Sequence, residues 1–256
     1  MQNIKRPAMW RLPSVSADGL KIFACIVMFI QSVGIAIIEN GIIHLGNYTQ
    51  AELSQALADD SHLMVLAGTG SVLQLIGGLA VPLFAYLLVE GFRNTSDFRK
   101  YLVSMLVFAV LSEIPYDLAT SVEFVDWSSQ NALFTMCICL LLLYFLSMFK
   151  DGKGIMYVIA RLTVILCAVC WVSLFRAAYG LCMVLLVAVF YIFYTRNVLK
   201  TILGMIISLL YVTGPLSFYV IWFYNEERKD KLPKYVYYAF YPLHLLVLGL
   251  AAKFIL

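Results

Sequence analysis

Glu113 and Asp117 lie four residues apart in LSEIPYDLA, residues 111–119, so a helix would present both carboxylates on one face. Pro115 stands between them and frees a backbone carbonyl one turn back. Kept out of water, such a carboxylate either takes up a proton or orients a nearby histidine. The structural alternative is a helix-end pair with Asp117 at the water interface. His244, in KYVYYAFYPLHLL (234–246), is the one histidine inside an apolar run, since His44 and His62 fall in a polar stretch. Its side chain titrates nearest neutrality and suits a general base acting on an amine or hydroxyl. Its structural alternative is a bond to a neighbouring helix. In this scheme Glu113 orients His244. Asn131 and Thr135, Tyr224 and Asn225 would all face the same mouth as Glu113. Gln31 and Ser32, in MFIQSVGI (28–35), add two hydrogen-bonding side chains mid-way along the first apolar run; neither takes up a proton near neutral pH.

A second constellation pairs Lys21 with Arg93, Arg99 and Lys100, close to Glu90. These cations suit a polyanion such as coenzyme A. They equally suit anchoring at a cytoplasmic membrane face, with Glu90 and Arg93 paired locally at i, i+3.

The elements that carry these residues are membrane helices. The chain has 256 residues, 62% hydrophobic and 13% charged, against about 25% charged in soluble domains. With about 20 apolar residues needed per crossing, the sequence predicts one all-α membrane domain over 1–256. Its eight spans lie near 19–38, 71–92, 101–120, 131–149, 155–175, 178–194, 198–222 and 236–255. A charge at a span centre costs about 2.5–3.5 kcal/mol on insertion, which is why the buried carboxylates and the histidine stand out. The first apolar run reads as a retained anchor. Eight crossings put both termini in the cytoplasm. Of 18 basic residues, 13 (Lys5, Arg6, Arg11, Lys21, Arg93, Arg99, Lys100, Lys150, Lys153, Arg161, Arg196, Lys200, Lys253) then lie inside and 5 (Arg176, Arg228, Lys229, Lys231, Lys234) outside. The basic residues form no patch for nucleic acid. In the outer loop 39–70, TQAE (49–52) has the form of a capping box and predicts a short surface helix. The six cysteines fall in spans and read as packing residues. No inverted pair of broken helices of the transporter kind is evident.

Several stretches resemble the TraX family of polytopic membrane proteins: GLKIFACIVM (19–28), VPLFAYLLVEGFRNT (81–95), RKYLVSMLVFAVLSEIPYDLA (99–119), NALFT (131–135), YN (224–225) and KYVYYAFYPLHLL (234–246). They follow the family order and leave out 150–220. The resemblance implies an acyltransferase of the bacterial inner membrane; the name-giving members are associated with N-acetylation of conjugative pilin. It implies no covalently bound cofactor, with acetyl-CoA or another acyl-CoA as co-substrate. The acceptor would be an amine or hydroxyl on a protein N-terminus, a glycan or a small molecule. The sequence departs from the family pattern at Gln31-Ser32 (Asp-His in the family), Gly77-Gly78 (Gly-Arg), Ser104 (Arg) and Ala178-Tyr179-Gly180 (Asp-Tyr-Gly). Losing charges together avoids stranding a buried one, so Gln31-Ser32 reads as a neutralised catalytic pair. Two readings follow: an acyltransferase in which the resemblance implies His244 as base, Glu113 as its orienter and Asn131, Thr135 or Asn225 as donor to the oxyanion, or a catalytically inactive binding, sensing or assembly protein. A transporter would rest on intramembrane charge alone.

Overall fold

Backbone groups in an apolar surrounding must bond to each other within their own segment, and the chain is accordingly helical. The computed structural model describes residues 14–225 and 233–254. Among these, the only bridges are two isolated ones, Val15–Tyr224 and Gln130–Ala177. The helices are α1 Ala17–Val33, continuing as a π-helix over Gly34–Ile42, α2 Gln50–Asp59, α3 Ser61–Gly77, α4 Ala80–Asn94, α5 Phe98–Leu111, α6 Glu113–Ser121, α7 Ala132–Met148, α8 Ile155–Leu174, α9 Gly180–Ile192, α10 Asn197–Ser208, α11 Ser217–Trp222 and α12 Lys234–Phe254.

Four helical stretches are long and apolar enough to cross a membrane: Ala17–Ile42, Ser61–Asn94, Ile155–Leu174 and Tyr235–Phe254. A fifth is the pair α5 and α6, bent by 43° at Ser112. The bend follows from Pro115, whose missing N–H leaves the Leu111 carbonyl without its helical partner. Helices α7, α9 and α10 are apolar but shorter. The sequence-predicted second span begins ten residues too late. Asp60 caps α3 by accepting from the His62 and Leu63 amides, so the helix starts at Ser61. The expected capping box is present at Thr49 and Glu52. All six cysteines are free.

The seventh predicted span, 198–222, does not cross the bundle. It rises as α10, turns at Val212–Thr213 and returns as α11. Trp222 Nε1 donates to Thr201 Oγ1 at 3.1 Å, a Cβ on Gly204 would touch the Phe218 ring, and one on Gly214 would touch the Ser208 carbonyl. These pairings are those of an antiparallel hairpin. Its tip docks at mid-height on the break between α3 and α4, where the Thr213 hydroxyl donates to the Leu75 carbonyl and sits against Gly78. Beyond α11, Asn225 N donates to the Val15 carbonyl at 3.1 Å. Tyr224 and Asn225 are therefore at the α1 N-terminal end, not at the Glu113 mouth as expected.

One traverse of the bundle fewer separates residue 14 from residue 254. Tyr237, near the start of α12, donates to Asp18 at 3.0 Å, whereas Lys253, near its end, donates to the Val122 carbonyl. The amide of Asn40, at the end of the first helix, bonds the Ala119 and Thr120 carbonyls. So α1 and α12 run parallel, and residues 14 and 254 lie at opposite ends of the bundle. The expectation of both termini on one side is corrected by that hairpin.

The core lies between α4, α7 and α9, where Leu140, Leu143, Val184 and Leu186 are fully buried. Helix α8 stands outside it, with Leu162 and Leu166 exposed. Close approach uses glycine: a Cβ on Gly77 would run into the Gln31 side chain, and one on Gly249 would lie 2.8 Å from the Leu118 backbone.

Candidate functional site

A cavity of about 550 Å³ runs through the bundle. Its mouth is at the α1 N-terminal end, where Lys21, Asn94, Asp97 and Lys100 line it; its inner end is lined by Gln31, Ser32, Tyr116, Thr120, Tyr179 and Tyr241. Eleven residues of helix separate Lys21 from Ser32, or about 16 Å.

His244 meets this cavity through Ser32. Its Nδ1 lies 2.7 Å from the Phe240 carbonyl. A carbonyl only accepts, so Nδ1 carries the proton and the lone pair of the neutral ring is on Nε2. Ser32 Oγ is 3.1 Å from that nitrogen. The same hydroxyl lies 3.0 Å from the Met28 carbonyl, so one proton has two acceptors. The imidazole is buried, stacked on Phe240 at 4.8 Å and flanked by Tyr241 at 5.8 Å and Phe29 at 6.0 Å. The orienting group is therefore Phe240, not Glu113 as expected.

Glu113 instead accepts from the Asn131 side-chain amide; its other oxygen, Oε1, is buried without a partner among the described residues. Asn131 is fully committed. Its amide also donates to the Ala109 carbonyl at 2.8 Å, and its Oδ1 caps α7 by accepting from Leu133 N at 3.0 Å. Thr135 gives its proton to the Ala178 carbonyl at 2.7 Å. Asp117 is buried and accepts from Asp126 N at 2.9 Å, tying down the loop after α6. Asn131 and Thr135 thus have no proton left for an oxyanion, and Asn225 lies at the wrong end. That expectation is corrected for all three. Tyr241, which sequence reasoning does not single out, also lines the cavity; its spacing of three from His244 is the available signal. Its oxygen accepts from Ala132 N at 3.4 Å, and its own proton remains to be given.

At the mouth, Lys21 and Lys100 line the cavity but Arg93 and Arg99 do not. The Arg93 guanidinium lies 3.6 Å over the Tyr194 ring, whose hydroxyl donates to buried Glu90 at 2.7 Å. Arg99 borders a shallow groove with Asp97, Phe98 and Tyr144. Tyr224 does line the cavity, edge-on to Tyr86 at 5.7 Å. The mouth is thus mixed in charge, with the Glu90 and Asp97 carboxylates beside the two lysines. Among the described residues no cluster of His, Cys, Asp and Glu could hold a metal ion.

The family model described as TraX protein matches residues 16–252. The chain belongs to the TraX family. No curated protein and no solved structure matches it. Gln31 rests on Gly77 and shares a side-chain hydrogen bond with Tyr179, while the Ala178 carbonyl holds Thr135.

Proposed function

We propose that this TraX-family chain is a multi-pass acyltransferase of the bacterial inner membrane. It takes an acyl group, acetyl being the simplest, from acyl-CoA and passes it to an amine or hydroxyl acceptor. The observation that carries the reading is the cavity, which joins a mouth holding Lys21 and Lys100 to Ser32 and, behind it, His244. The donor's phosphates stay at the mouth and its thioester reaches inward. His244 Nε2 takes up a proton, and the Tyr241 hydroxyl faces the developing oxyanion.

Orientation follows from charge. Among the described residues, Lys21, Arg93, Arg99, Lys100, Lys150, Lys153, Arg161, Arg196, Lys200 and Lys234 fall at the mouth end, against Arg176 and Lys253 at the other. The mouth end is therefore cytoplasmic. The chain makes seven crossings plus a re-entrant hairpin, with the C-terminus outside. The acceptor approaches from the outer end, where Tyr116 and Thr120 close the cavity.

Calorimetric titration of the detergent-purified chain with acetyl-CoA, with coenzyme A as control, tests this. Micromolar binding weakened tenfold or more by Lys21→Gln with Lys100→Gln is expected. A folded sample that binds nothing at millimolar ligand overturns the donor assignment. The commitment of Asn131 and Thr135 to internal bonds favours a second reading, a non-catalytic binding or assembly protein, and that result would leave it standing.

A further inference from the structure

The geometry points to Ser32 as a covalent nucleophile that carries the acyl group between donor and acceptor, with His244 as its base. The inference rests on the acyl-transfer reading above and adds an acyl-enzyme to it. From the sequence, Gln31-Ser32 looks like a dismantled pair. In the fold, Ser32 has a partner 212 residues away: its hydroxyl oxygen lies 3.1 Å from the bare nitrogen of His244. Nucleophile, base and orienter follow in order as Ser32 Oγ, His244 Nε2 and the Phe240 carbonyl on Nδ1. That is the arrangement an activated serine needs. A carbonyl in the orienting place fixes the tautomer without adding a charge to an apolar site.

Two further observations favour chemistry over packing. Ser32 lines the cavity while His244 is buried behind it, so the pair borders the ligand space and the base is screened from water by Phe29, Phe240 and Tyr241. The helix also changes to π geometry from Gly34, two residues on, a distortion that tends to gather at functional sites.

The steps balance. Ser32 Oγ attacks the thioester carbonyl carbon and its proton passes to His244 Nε2. The C–S bond breaks, and the imidazolium returns that proton to the leaving thiolate as free coenzyme A. Ser32 then holds the acyl group as an ester. An acceptor amine or hydroxyl attacks the same carbonyl, giving its proton to Nε2. The C–Oγ bond breaks, and Ser32 recovers the proton.

The test uses the full detergent-purified chain and two probes read by peptide mass spectrometry. One is an alkyl fluorophosphonate, which reports an activated serine whatever the natural donor. The other is acetyl-CoA without acceptor, which reports the donor as well. Expected are a phosphonyl adduct and an acetyl ester, both on the peptide containing Ser32. Both should vanish in Ser32→Ala and form about 10²–10⁴-fold more slowly in His244→Gln. Ser32→Cys should instead be alkylated by iodoacetamide in the same cavity. Phosphonylation without acetylation sustains the nucleophile and removes acyl-CoA as its donor. Coenzyme A release that continues in Ser32→Ala, with no ester formed, overturns the nucleophile and leaves direct transfer. Wild-type protein that shows neither adduct nor release overturns both.

Discussion

With its Nδ1 proton given to the Phe240 carbonyl, His244 accepts a further proton only at Nε2, the side that meets Ser32. Replacing His244 by Gln keeps two polar ends but no base. Acyl transfer should fall about 10²–10⁴-fold while the protein elutes and melts as the wild type; unchanged turnover would remove His244 from the chemistry. Asn131 plays a different part. It satisfies the Ala109 carbonyl, the Glu113 carboxylate and the α7 N-terminus at once. Asn131→Ala takes one donor from each of two buried acceptors, leaving the Ala109 carbonyl to Ser112 N at 3.2 Å and Glu113 to the backbone amide of position 131 at 3.4 Å, and it uncaps α7, each loss costing about 1 kcal/mol or more. Thermal unfolding in detergent should show a large loss of stability. A midpoint within a degree of wild type would mean that water replaces the amide.

At the scale of elements, packing depends on glycines where helices come too close for a side chain. Gly249 brings α12 against the Leu118 backbone of α6, and His244 is one turn and a half earlier on the same helix. Gly249→Val must push the two helices apart, so it should lower both stability and the fluorophosphonate reactivity of Ser32. Reactivity preserved at reduced stability would show that α1 and α12 alone hold the pair. Outside the bundle, hydrogen bonds from the Thr49 backbone and hydroxyl hold the Glu52 carboxyl below its ordinary value. A depressed carboxyl stabilises its helix above the ordinary value, near 4.5, and loses that contribution as pH falls through the lower, folded value. Fraying of α2, followed by hydrogen exchange corrected for intrinsic rates, should therefore increase on acidification in the wild type and much less in Glu52→Gln.

For the molecule as a whole, the hairpin of α10 and α11 sets the parity of crossings. Cysteines introduced singly at Arg196 and Asn225, both at the mouth end, should react with a membrane-impermeant maleimide only from the cytoplasmic side. Cysteines at Asp59 and Glu123 should react only from the other. Labelling of positions 196 and 225 from opposite sides would restore an eighth crossing. Charge separates along the same axis: among the described residues the end away from the mouth holds Glu39, Glu52, Asp59, Asp60, Glu113, Asp117, Glu123 and Asp126 with two basic residues, while ten basic residues gather at the mouth end.

Hydropathy runs placed the apolar segments because each must bury its own backbone bonds, a local requirement readable from composition. The capping box at Thr49 and Glu52 and the helix break at Pro115 were legible for the same reason: each involves residues within one turn. Glu113, Asp117 and His244 stood out because polar groups in an apolar run demand partners, but the sequence does not say which partners. Whether 198–222 crosses or returns turns on Trp222 reaching Thr201 and on Thr213 reaching Leu75, contacts that no local pattern encodes. The pairing of Ser32 with His244 likewise exists only because α1 packs against α12. Residue type determined that the chain lies in a membrane and which side chains need an explanation. The tertiary structure decided which of them spend their protons on the fold and which keep one for a ligand.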